Sequence, residues 1–303
     1  MKLLSIVIPA WNREKEVIRL LDSIRPIYMN CQSDVEIIVT DNCSDDATVE
    51  TVKNWSLKNN VDLLLLVAEK NVGPVRNWIK GVEHSTSKYT HLLFSDDYIN
   101  CINTDFIKDL KNNLDESIGL YSLPVRMVDQ DLNVSNDVFL QVNNDSLGFQ
   151  SKSSFVINHL LPSKFFGLKI KRTFSPVSPS GYFILSKVLQ DTLKKYVDHH
   201  TFTKNGAGID HMTILSAALK GTKVGCLTSP ISYMVASPTS ITRLSQKSSI
   251  GAIRLANSYN LAVFYLLPLI ITKLNFKSFF IVLITFARLC VHNSKLISER
   301  LRL

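Results

Sequence analysis

Four short, almost continuously apolar segments alternate with helical patterns over the first hundred residues, and this alternation constrains the fold more than any other feature. The segments are 3–8, 35–40, 61–68 and 89–95. They lack polar–apolar alternation, which is typical of strands buried on both faces of a parallel sheet. Apolar residues with helical spacing lie between them: Val17, Leu20, Leu21 and Ile24, and then Val75, Trp78, Ile79 and Val82. This order predicts an α/β, Rossmann-like sheet with right-handed crossovers.

Three of the predicted strands end in polar or aromatic residues. Residues 9–12 (PAWN) follow the first strand, Asp41 and Asn42 the second, and Asp96 and Asp97 the fourth. In open α/β sheets, ligands bind beyond the carboxyl ends of the strands, so these residues should share one edge. A pair of adjacent aspartates alone is common in turns. Its convergence with the two other strand ends favours a ligand site.

The charges of the chain are divided unevenly between its halves. Residues 1–150 hold 14 Lys and Arg against 22 Asp and Glu, and residues 151–303 hold 20 against 4, so that −8 and +16 give the net charge of +8. This division favours metal or sugar chemistry in the first half and an anionic partner for the second. The five cysteines are scattered without a CxxC pair, which predicts reduced thiols in a cytoplasmic protein.

Two classes of nucleotide-binding enzyme are excluded by missing motifs. The first predicted βα turn, PAWNRE, contains no glycine, whereas a dinucleotide-binding turn requires GxGxxG. The P-loop pattern GxxxxGK[ST] is also missing from the sequence. The aspartate pair, in contrast, suits Mg²⁺ or Mn²⁺, which needs few protein oxygens when phosphates and waters complete its shell.

The ends of the chain pose separate questions. The segment MKLLSIVIPAWN is interpreted as a first strand rather than a signal peptide, because it is short and lacks a small-x-small cleavage site. No apolar run reaches the roughly 18 residues of a transmembrane helix. Residues 261–271 and 279–291 are apolar and flanked by basic residues. They predict either interfacial helices attracted to anionic lipid or helices buried against the preceding domain.

Four motifs in order, SIVIPAWNRE, VTDNCSDDAT, NVGPVRNWIKG and LLFSDD, resemble the family 2 glycosyltransferases with the GT-A fold. The resemblance is good over residues 3–100 and patchier to about 242, and it points to the bacterial O-antigen and surface-polysaccharide type. It implies a nucleoside-diphosphate sugar donor, Mn²⁺ or Mg²⁺, and inversion at the anomeric carbon.

The resemblance assigns a role to each polar strand end. Pro9, Trp11 and Asn12 would contact the nucleotide sugar, with the Trp11 ring on the base, unless Trp11 is a core aromatic. Asp41 would accept a hydrogen bond from the base, or it caps the following helix. Arg76 would lie near base or phosphate, or on a solvated helix face.

The D-x-D position of the family is occupied by residues 95–97, Ser-Asp-Asp, so that serine replaces the first acid. The resemblance implies that Asp97 ligates the metal, and that Asp96 holds the ribose or the metal and its water. This departure from the pattern leaves the metal requirement open.

The resemblance also implies a general base in GAGID, residues 206–210. Asp210 is the candidate catalytic base, and the alternative is a helix N-cap. Its place at a helix N-terminus should favour the ionised carboxylate. His211 is a second candidate. Arg243, in the motif SPTSITR, would contact the diphosphate.

The expected chain is a catalytic domain at 1–245, with a nucleotide-sugar half at 1–100 and an acceptor half at 101–245, followed by a basic helical tail at 246–303. The expected activity is hexosyl or deoxyhexosyl transfer to a glycan hydroxyl, with an undecaprenyl-diphosphate-linked acceptor and no nucleic acid. The expected location is cytoplasmic, at the inner face of the plasma membrane. Two alternatives stay open: an inactive membrane-associated scaffold, and a nucleotidyltransferase on a related sheet.

Overall fold

The structure is a computed structural model. It describes residues 1–101, 104–114, 117–139, 147–160, 164–165, 168–169, 178–199, 206–237, 240, 243, 247–274, 280, 283 and 287.

Helices and strands alternate through the first half of the chain. The helices are α1 (Glu16–Asn30), α2 (Thr48–Asn59), α3 (Pro74–Glu83), α4 (Asp105–Asn112), α5 (Lys152–Leu160), α6 (Ser186–Tyr196), α7 (Ile209–Lys220) and α8 (Ser249–Lys273). The strands are β1 (Leu4–Ala10), β2 (Val35–Asp41), β3 (Leu64–Val67), β4 (Tyr89–Leu92), β5 (Tyr98–Asn100), β6 (Ile118–Ser122), β7 (Val125–Val128), β8 (Val134–Phe139), β9 (Leu147–Ser151), β10 (Lys164–Phe165), β11 (Leu168–Lys169), β12 (Tyr182–Leu185), β13 (Lys223–Leu227) and β14 (Ile231–Val235).

The central sheet has eight strands in the order β3-β2-β1-β4-β12-β6-β13-β9. Only β12 and β9 run antiparallel to the other six strands. The predicted mostly parallel sheet with flanking helices is therefore confirmed. A second sheet, in the order β5-β14-β7-β8, lies beside it. The register pairs Ala10 with Asp41, so the ends of β1 and β2 meet at one edge, as predicted.

Apolar layers cover both faces of the central sheet. Val7 of β1 belongs to the layer formed with α3, α5, α6, α7 and α8. Its neighbours Ile6 and Ile8 belong to the layer formed with α1, α2 and α4. Successive side chains of a strand point to opposite faces, so a strand covered on both sides needs apolar residues throughout. This explains the unbroken apolar segments of the sequence.

The structure differs from expectation in the middle of the chain. The turn-rich stretch 141–154 contains β9 and the start of α5 within its described residues. The strand β9 pairs with β13, which is about 75 residues distant in sequence. Such a long-range pairing leaves no local pattern, because tertiary contacts override the weak strand propensity of polar residues.

The helix α8 is longer than the sequence pattern indicated. It is 25 residues long, and Pro268 lies inside it. Residues 250–273 have a mean hydropathy of 1.4, so this helix is long and apolar enough to cross a membrane. The expectation that no segment reaches this length was wrong, because it counted uninterrupted apolar runs only. One face of α8, with Ala262, Leu266 and Ile270, is buried in the core beside α7. Residues 279–291 lie almost entirely outside the described residues.

Candidate active site

The loops after β1 and β2 are joined by side-chain hydrogen bonds. Asn12 adopts a positive φ of 54°, its backbone N–H donates to Ser44 Oγ at 2.9 Å, and its Oδ1 accepts from Asp45 N at 2.9 Å. Ser44 N in turn donates to Asp41 Oδ2 at 2.9 Å. The fully buried Asp41 thus fixes its own loop, whereas Asp46 accepts from Thr48 N at the start of α2. The two loops form one rigid rim.

A third loop, residues 71–73, is attached to the same rim. Asn42 Nδ2 donates to Asn71 Oδ1 at 3.0 Å, and Asn42 Oδ1 accepts from Val72 N at 2.9 Å. The buried Asn77 of α3 donates to the carbonyl of Thr40 at 3.0 Å. Asn42 was included in the predicted edge, but Asn77 was not singled out. The sequence could have indicated Asn77, because it is a polar residue beside the buried apolar positions of α3.

The aromatic and cationic side chains near this rim have different exposures. Pro9 is buried in β1, whereas Trp11 is 50% exposed beyond the strand end. Trp11 is thus not a core residue, and its ring is accessible for stacking. Arg76 is exposed on α3 and forms an ion pair with Asp198 at 2.6 Å. Its predicted contact with base or phosphate stays a prediction.

The residues Ser95, Asp96 and Asp97 follow β4 at the same edge. Asp97 is buried, and its Oδ1 accepts from Val235 N of β14 at 3.0 Å. Asp96 is partly buried, and its carbonyl accepts from the Arg19 guanidinium at 2.7 Å. The pair therefore lies where the central sheet, the second sheet and α1 meet.

Burial makes both carboxyl groups costly to ionise. Burial, followed by the charge of Asp96, raises the pKa of Asp97 to about 8. Burial also raises the pKa of Asp96, and the Arg13 charge opposes this shift. Two adjacent hard oxygen donors with raised pKa values fit a divalent cation, since its charge would offset their repulsion. No cluster of three or more His, Cys, Asp or Glu occurs among the described residues, so phosphate and water oxygens would have to complete the shell.

The turn at 178–181 contacts Asp97, and the sequence did not indicate this contact. Ser180 hydrogen-bonds to the Asp97 carboxylate, and its Oγ accepts from Phe94 N at 3.2 Å. His91 Nε2 donates to the Ser180 carbonyl at 2.8 Å. Burial lowers the pKa of His91 to about 4, so its ring is neutral and donates from Nε2. The sequence SPVSPSG reads only as a turn, and its partners come from distant strands.

The candidate base Asp210 lies in the first turn of α7. Its Oδ1 accepts from Gly208 N at 2.9 Å and from His211 N at 2.7 Å. Its Oδ2 accepts from the Tyr259 hydroxyl at 3.3 Å. Tyr259 belongs to α8 and was missed. The available signal was a tyrosine on the buried stripe of that helix, between Leu255 and Ala262.

Burial outweighs the effect of the helix terminus on Asp210. Withdrawal of the carboxylate from water raises its pKa to about 7, although the N–H groups of His211 and Gly208 and the Tyr259 hydroxyl lower it. The expected effect of the helix N-terminus is present, since these N–H groups favour the carboxylate, but burial has the larger effect. A carboxylate with a pKa near neutrality matches the requirement for a general base.

The ring of His211 is engaged by another histidine and is not arranged as a general base. Its Nδ1 lies 3.0 Å from His159 Nε2 of α5, and burial lowers its pKa to about 4. Both rings are buried, so the pair packs α5 against α7.

The ring of Trp78 joins the loop before Asp210 to the aspartate pair. Its centroid lies 4.9 Å from that of Phe94, which directly precedes Ser95. A Cβ atom on Gly206 would lie 2.2 Å from Trp78 Cη2, and the Gly206 φ is 72°. Only glycine fits this position. The structure thus connects Gly206, through the Trp78 ring, to Phe94, which leads into Asp96 and Asp97.

Arg243 is exposed, and its backbone N–H donates to Ser240 Oγ at 3.3 Å. Its neighbours 241–242 and 244–246 lie outside the described residues. The structure does not place Arg243 against the carboxylates described above, and its predicted diphosphate contact stays a prediction.

Residues 5–135 match the model of the glycosyl transferase family 2. Over these residues the chain is similar to the family 2 glycosyltransferases. The family 2 match covers β1 through the start of β8 and thus includes the whole rim and the aspartate pair. Asp210 lies beyond it.

Two bacterial glycosyltransferases are similar to this chain over a little more than a third of its length. The chain is 30% identical to the abequosyltransferase RfbV of Salmonella typhimurium over 119 residues, which is 39% of this chain and 34% of RfbV. It is 28% identical to the poly(ribitol-phosphate) beta-N-acetylglucosaminyltransferase TarS of Staphylococcus aureus over 113 residues, which is 37% of this chain and 19% of TarS. The chain therefore matches about a third of the first protein and about a fifth of the second.

Solved structures confirm the GT-A fold of this chain. One of them is the mannosyltransferase PcManGT from Pyrobaculum calidifontis in complex with GDP-Man and Mn²⁺. It has a TM-score of 0.57 at 15% identity, and the match covers 99% of this chain and 73% of the PcManGT chain. Residues 1–349 of S. aureus TarS with UDP-GlcNAc give a TM-score of 0.54 at 17% identity, over 95% of this chain and 81% of that one.

Proposed function

We propose that this protein transfers a sugar from a nucleoside-diphosphate sugar to a hydroxyl group of a glycan, with inversion at the anomeric carbon. The observation that supports it is the contact made by Trp78, which holds the Asp210 loop against the segment leading to Asp96 and Asp97. We expect the Asp210 carboxylate, whose pKa burial raises to about 7, to face the strand edge at which the nucleotide would bind. RfbV, TarS and PcManGT, which are glycosyltransferases, support the same reaction class.

The reaction needs one proton transfer and one displacement. Asp210 Oδ2 accepts the proton of the acceptor hydroxyl as the acceptor oxygen bonds to the anomeric carbon. The bond from that carbon to the diphosphate oxygen breaks, and the nucleoside diphosphate leaves with the electron pair. Attack from the face opposite the leaving group inverts the configuration. General-base catalysis of this kind contributes about 10²- to 10⁴-fold to the rate.

The donor nucleotide is assigned to the rim. Trp11 would stack on the base, Pro9 and Asn12 would shape that end of the pocket, and Asp41 would accept from the base. Arg76 and Arg243 would approach the phosphates, which requires Arg76 to release Asp198. The complex of PcManGT with GDP-Man and Mn²⁺ supports a similar cation here.

Asp97, with Asp96, would hold Mn²⁺ or Mg²⁺. When bound, such a cation offsets the negative charge that develops on the departing diphosphate. The Asp97 carboxylate is held in one orientation before a cation binds, because it accepts hydrogen bonds from the backbone N–H of Val235 and from the side chain of Ser180.

We further propose a lipid-linked glycan acceptor at the inner face of the plasma membrane, with hexosyl or deoxyhexosyl transfer. The outer side of α8 exposes Ile250, Phe264 and Ile271. A groove of about 800 Å³ between α6, α7 and α8 has lysines 187, 195, 220 and 273 in its lining. Apolar side chains beside lysines are the combination that binds anionic bilayers. Sedimentation with vesicles tests this: binding to anionic vesicles and not to zwitterionic ones is expected, and equal recovery in the supernatant would contradict it.

A thermal-shift screen tests the reaction class. UDP, GDP, dTDP and CDP are each added with and without Mn²⁺ or Mg²⁺, to the wild type and to Asp97→Ala. One nucleotide should raise the melting temperature with metal only, and Asp97→Ala should abolish the effect. Release of the nucleotide from the matching donor sugar, with water as acceptor, then reports turnover. No response to any nucleotide would favour the inactive scaffold, and formation of a sugar nucleotide from a nucleoside triphosphate would favour a nucleotidyltransferase.

A further inference from the structure

We propose that Tyr259 of the C-terminal helix α8 is a positioning residue for Asp210: its hydroxyl holds the carboxylate in one orientation and makes α8 part of the catalytic machinery. The inference rests on the proposed function, because it assigns Asp210 as the base. It concerns a residue 49 positions further along the chain, in a helix that the sequence indicated as a separate tail.

The hydrogen bonds divide the two carboxylate oxygens of Asp210. Oδ1 is used by the N–H groups of Gly208 and His211, at 2.9 and 2.7 Å. Oδ2 accepts from the Tyr259 hydroxyl at 3.3 Å. A carboxylate oxygen can accept two hydrogen bonds. Oδ2 therefore keeps one acceptor site for the hydroxyl of the incoming glycan, and the Tyr259 contact determines the direction of that site.

Tyr259 is itself held firmly. Its ring meets the ring of His211 edge-on, with centroids 5.9 Å apart and planes at 86°. On the same side of α8, Leu255 and Ala262 are buried in the protein, one turn before and one turn after it. The hydroxyl is thus presented by a packed helix rather than by a loop, which is the arrangement that keeps a catalytic group in one geometry.

The other titratable groups around Asp210 come from three helices. The ones that face it from the described elements are His211 on α7, His159 behind it on α5, and Tyr259 on α8. Burial lowers the pKa of His211 to about 4. The charge of Asp210 raises the pKa of Tyr259, which therefore remains a donor. The difference in pH dependence between the wild type and a Tyr259 variant should therefore report Asp210, because Asp97, whose pKa is also raised, is present in both proteins.

The sign of the effect follows from the direction of the hydrogen bond. A donor to the carboxylate favours its ionised form, so removal of the Tyr259 hydroxyl raises the pKa of Asp210. The base acts only when ionised. The variant should therefore lose activity at low pH and retain it at high pH.

The test compares Tyr259→Phe with the wild type in donor hydrolysis and in transfer, as kcat/KM from pH 5.5 to 9.5. We expect a rate about three- to tenfold lower at pH 6 and less than about twofold lower at pH 9, because one lost hydrogen bond moves the acidic limb by up to about one pH unit. Tyr265→Phe on the same helix is the matched control, since Tyr265 bonds to His199 instead, and it should leave the profile unchanged. A uniform loss at every pH, or no loss, would overturn the proposal.

A second measurement separates this inference from the proposed function. Carbon-13 NMR of the carboxyl groups in Asp-labelled protein follows the titration of Asp210 without any substrate, with Asp210→Asn to assign the signal. The titration should move to higher pH in Tyr259→Phe and stay in place in Tyr265→Phe. An unmoved titration would overturn the role of Tyr259. A moved titration in a protein that turns over no nucleotide sugar would retain that role and reject the reaction.

Discussion

Asp97 and Asp210 are both carboxylates withdrawn from water with raised pKa values, yet their surroundings suit opposite tasks. Next to burial, the largest influence on Asp97 is the negative charge of Asp96, which raises its pKa to about 8. Next to burial, the influences on Asp210 are hydrogen-bond donors, which lower its pKa and leave it at about 7. Repulsion between neighbouring acids favours a cation, whereas donors around a single acid favour exchange of a proton. Two aspartates of one protein are thus suited to different reactions because their neighbouring groups differ.

Removing the base should have the largest effect. In Asp210→Asn the carboxamide cannot take the proton, so turnover should fall by about 10²- to 10⁴-fold. Steady-state kinetics of transfer and of donor hydrolysis measure this, with calorimetry showing that nucleotide affinity is unchanged. Asp191→Asn, at an exposed acid of α6, is the control and should keep full activity. Unaltered turnover in Asp210→Asn would remove the distinction between the two carboxylates.

Replacing Asp97 should affect cations and nucleotides instead. At a nucleotide concentration about 100 times the Kd, binding stabilises the folded state by about 2.7 kcal/mol, and Asp97→Asn should lose the metal-dependent part of it. Differential scanning calorimetry measures the loss.

The same variant also gives a signed pH dependence. The folded-state pKa of Asp97 lies above its ordinary value, so the group's contribution to stability is present at low pH and is lost as pH rises through about 8. The wild type should therefore lose stability relative to Asp97→Asn as pH rises from about 4 to about 8, and should change little above that. Parallel pH profiles for the two proteins would contradict the assignment.

A smaller effect is expected where the two carboxylate regions meet. Gly206→Ala places a methyl group against the Trp78 ring and forces a positive φ on alanine, which should cost about 1–3 kcal/mol of the free energy of unfolding. Urea unfolding measures it. Gly148→Ala is the matched control, because its Cβ would meet Cys226 Cβ at an ordinary 3.9 Å. Equal stability of the two variants would show that Trp78 does not fix the Asp210 loop.

The smallest effect concerns the exposed ion pair between Arg76 and Asp198. Exposed pairs contribute about 0–1 kcal/mol, so Asp198→Ala should alter stability by less than about 1 kcal/mol. If Arg76 serves the nucleotide, Arg76→Ala weakens nucleotide binding and Asp198→Ala does not. Isothermal titration of both variants decides this, and identical affinities would return Arg76 to a surface role.

The sequence predicted the donor side of this molecule better than the acceptor side, for a physical reason. Asp41, Asp96 and Asp97 follow directly after buried strands, and parallel strands bring their carboxyl ends together whatever else the chain does. The partners that tune Asp210 and Asp97 come from far along the chain: Tyr259, Ser180 and Val235. No local period announces such contacts. The raised pKa of Asp210 could not be predicted for the same reason, because burial depends on packing that the sequence does not display.

The packing of α8 has a practical consequence for protein engineering. A designer who wishes to exchange membrane-binding segments between transferases would place the junction near residue 245, where the sequence pattern predicts the start of the tail. That junction would separate Tyr259 from Asp210 and would also remove Leu266 and Ile270 from the core. Chimaeras of this enzyme should instead be joined after Leu274, so that the recipient keeps the whole helix and only the segment beyond it is exchanged.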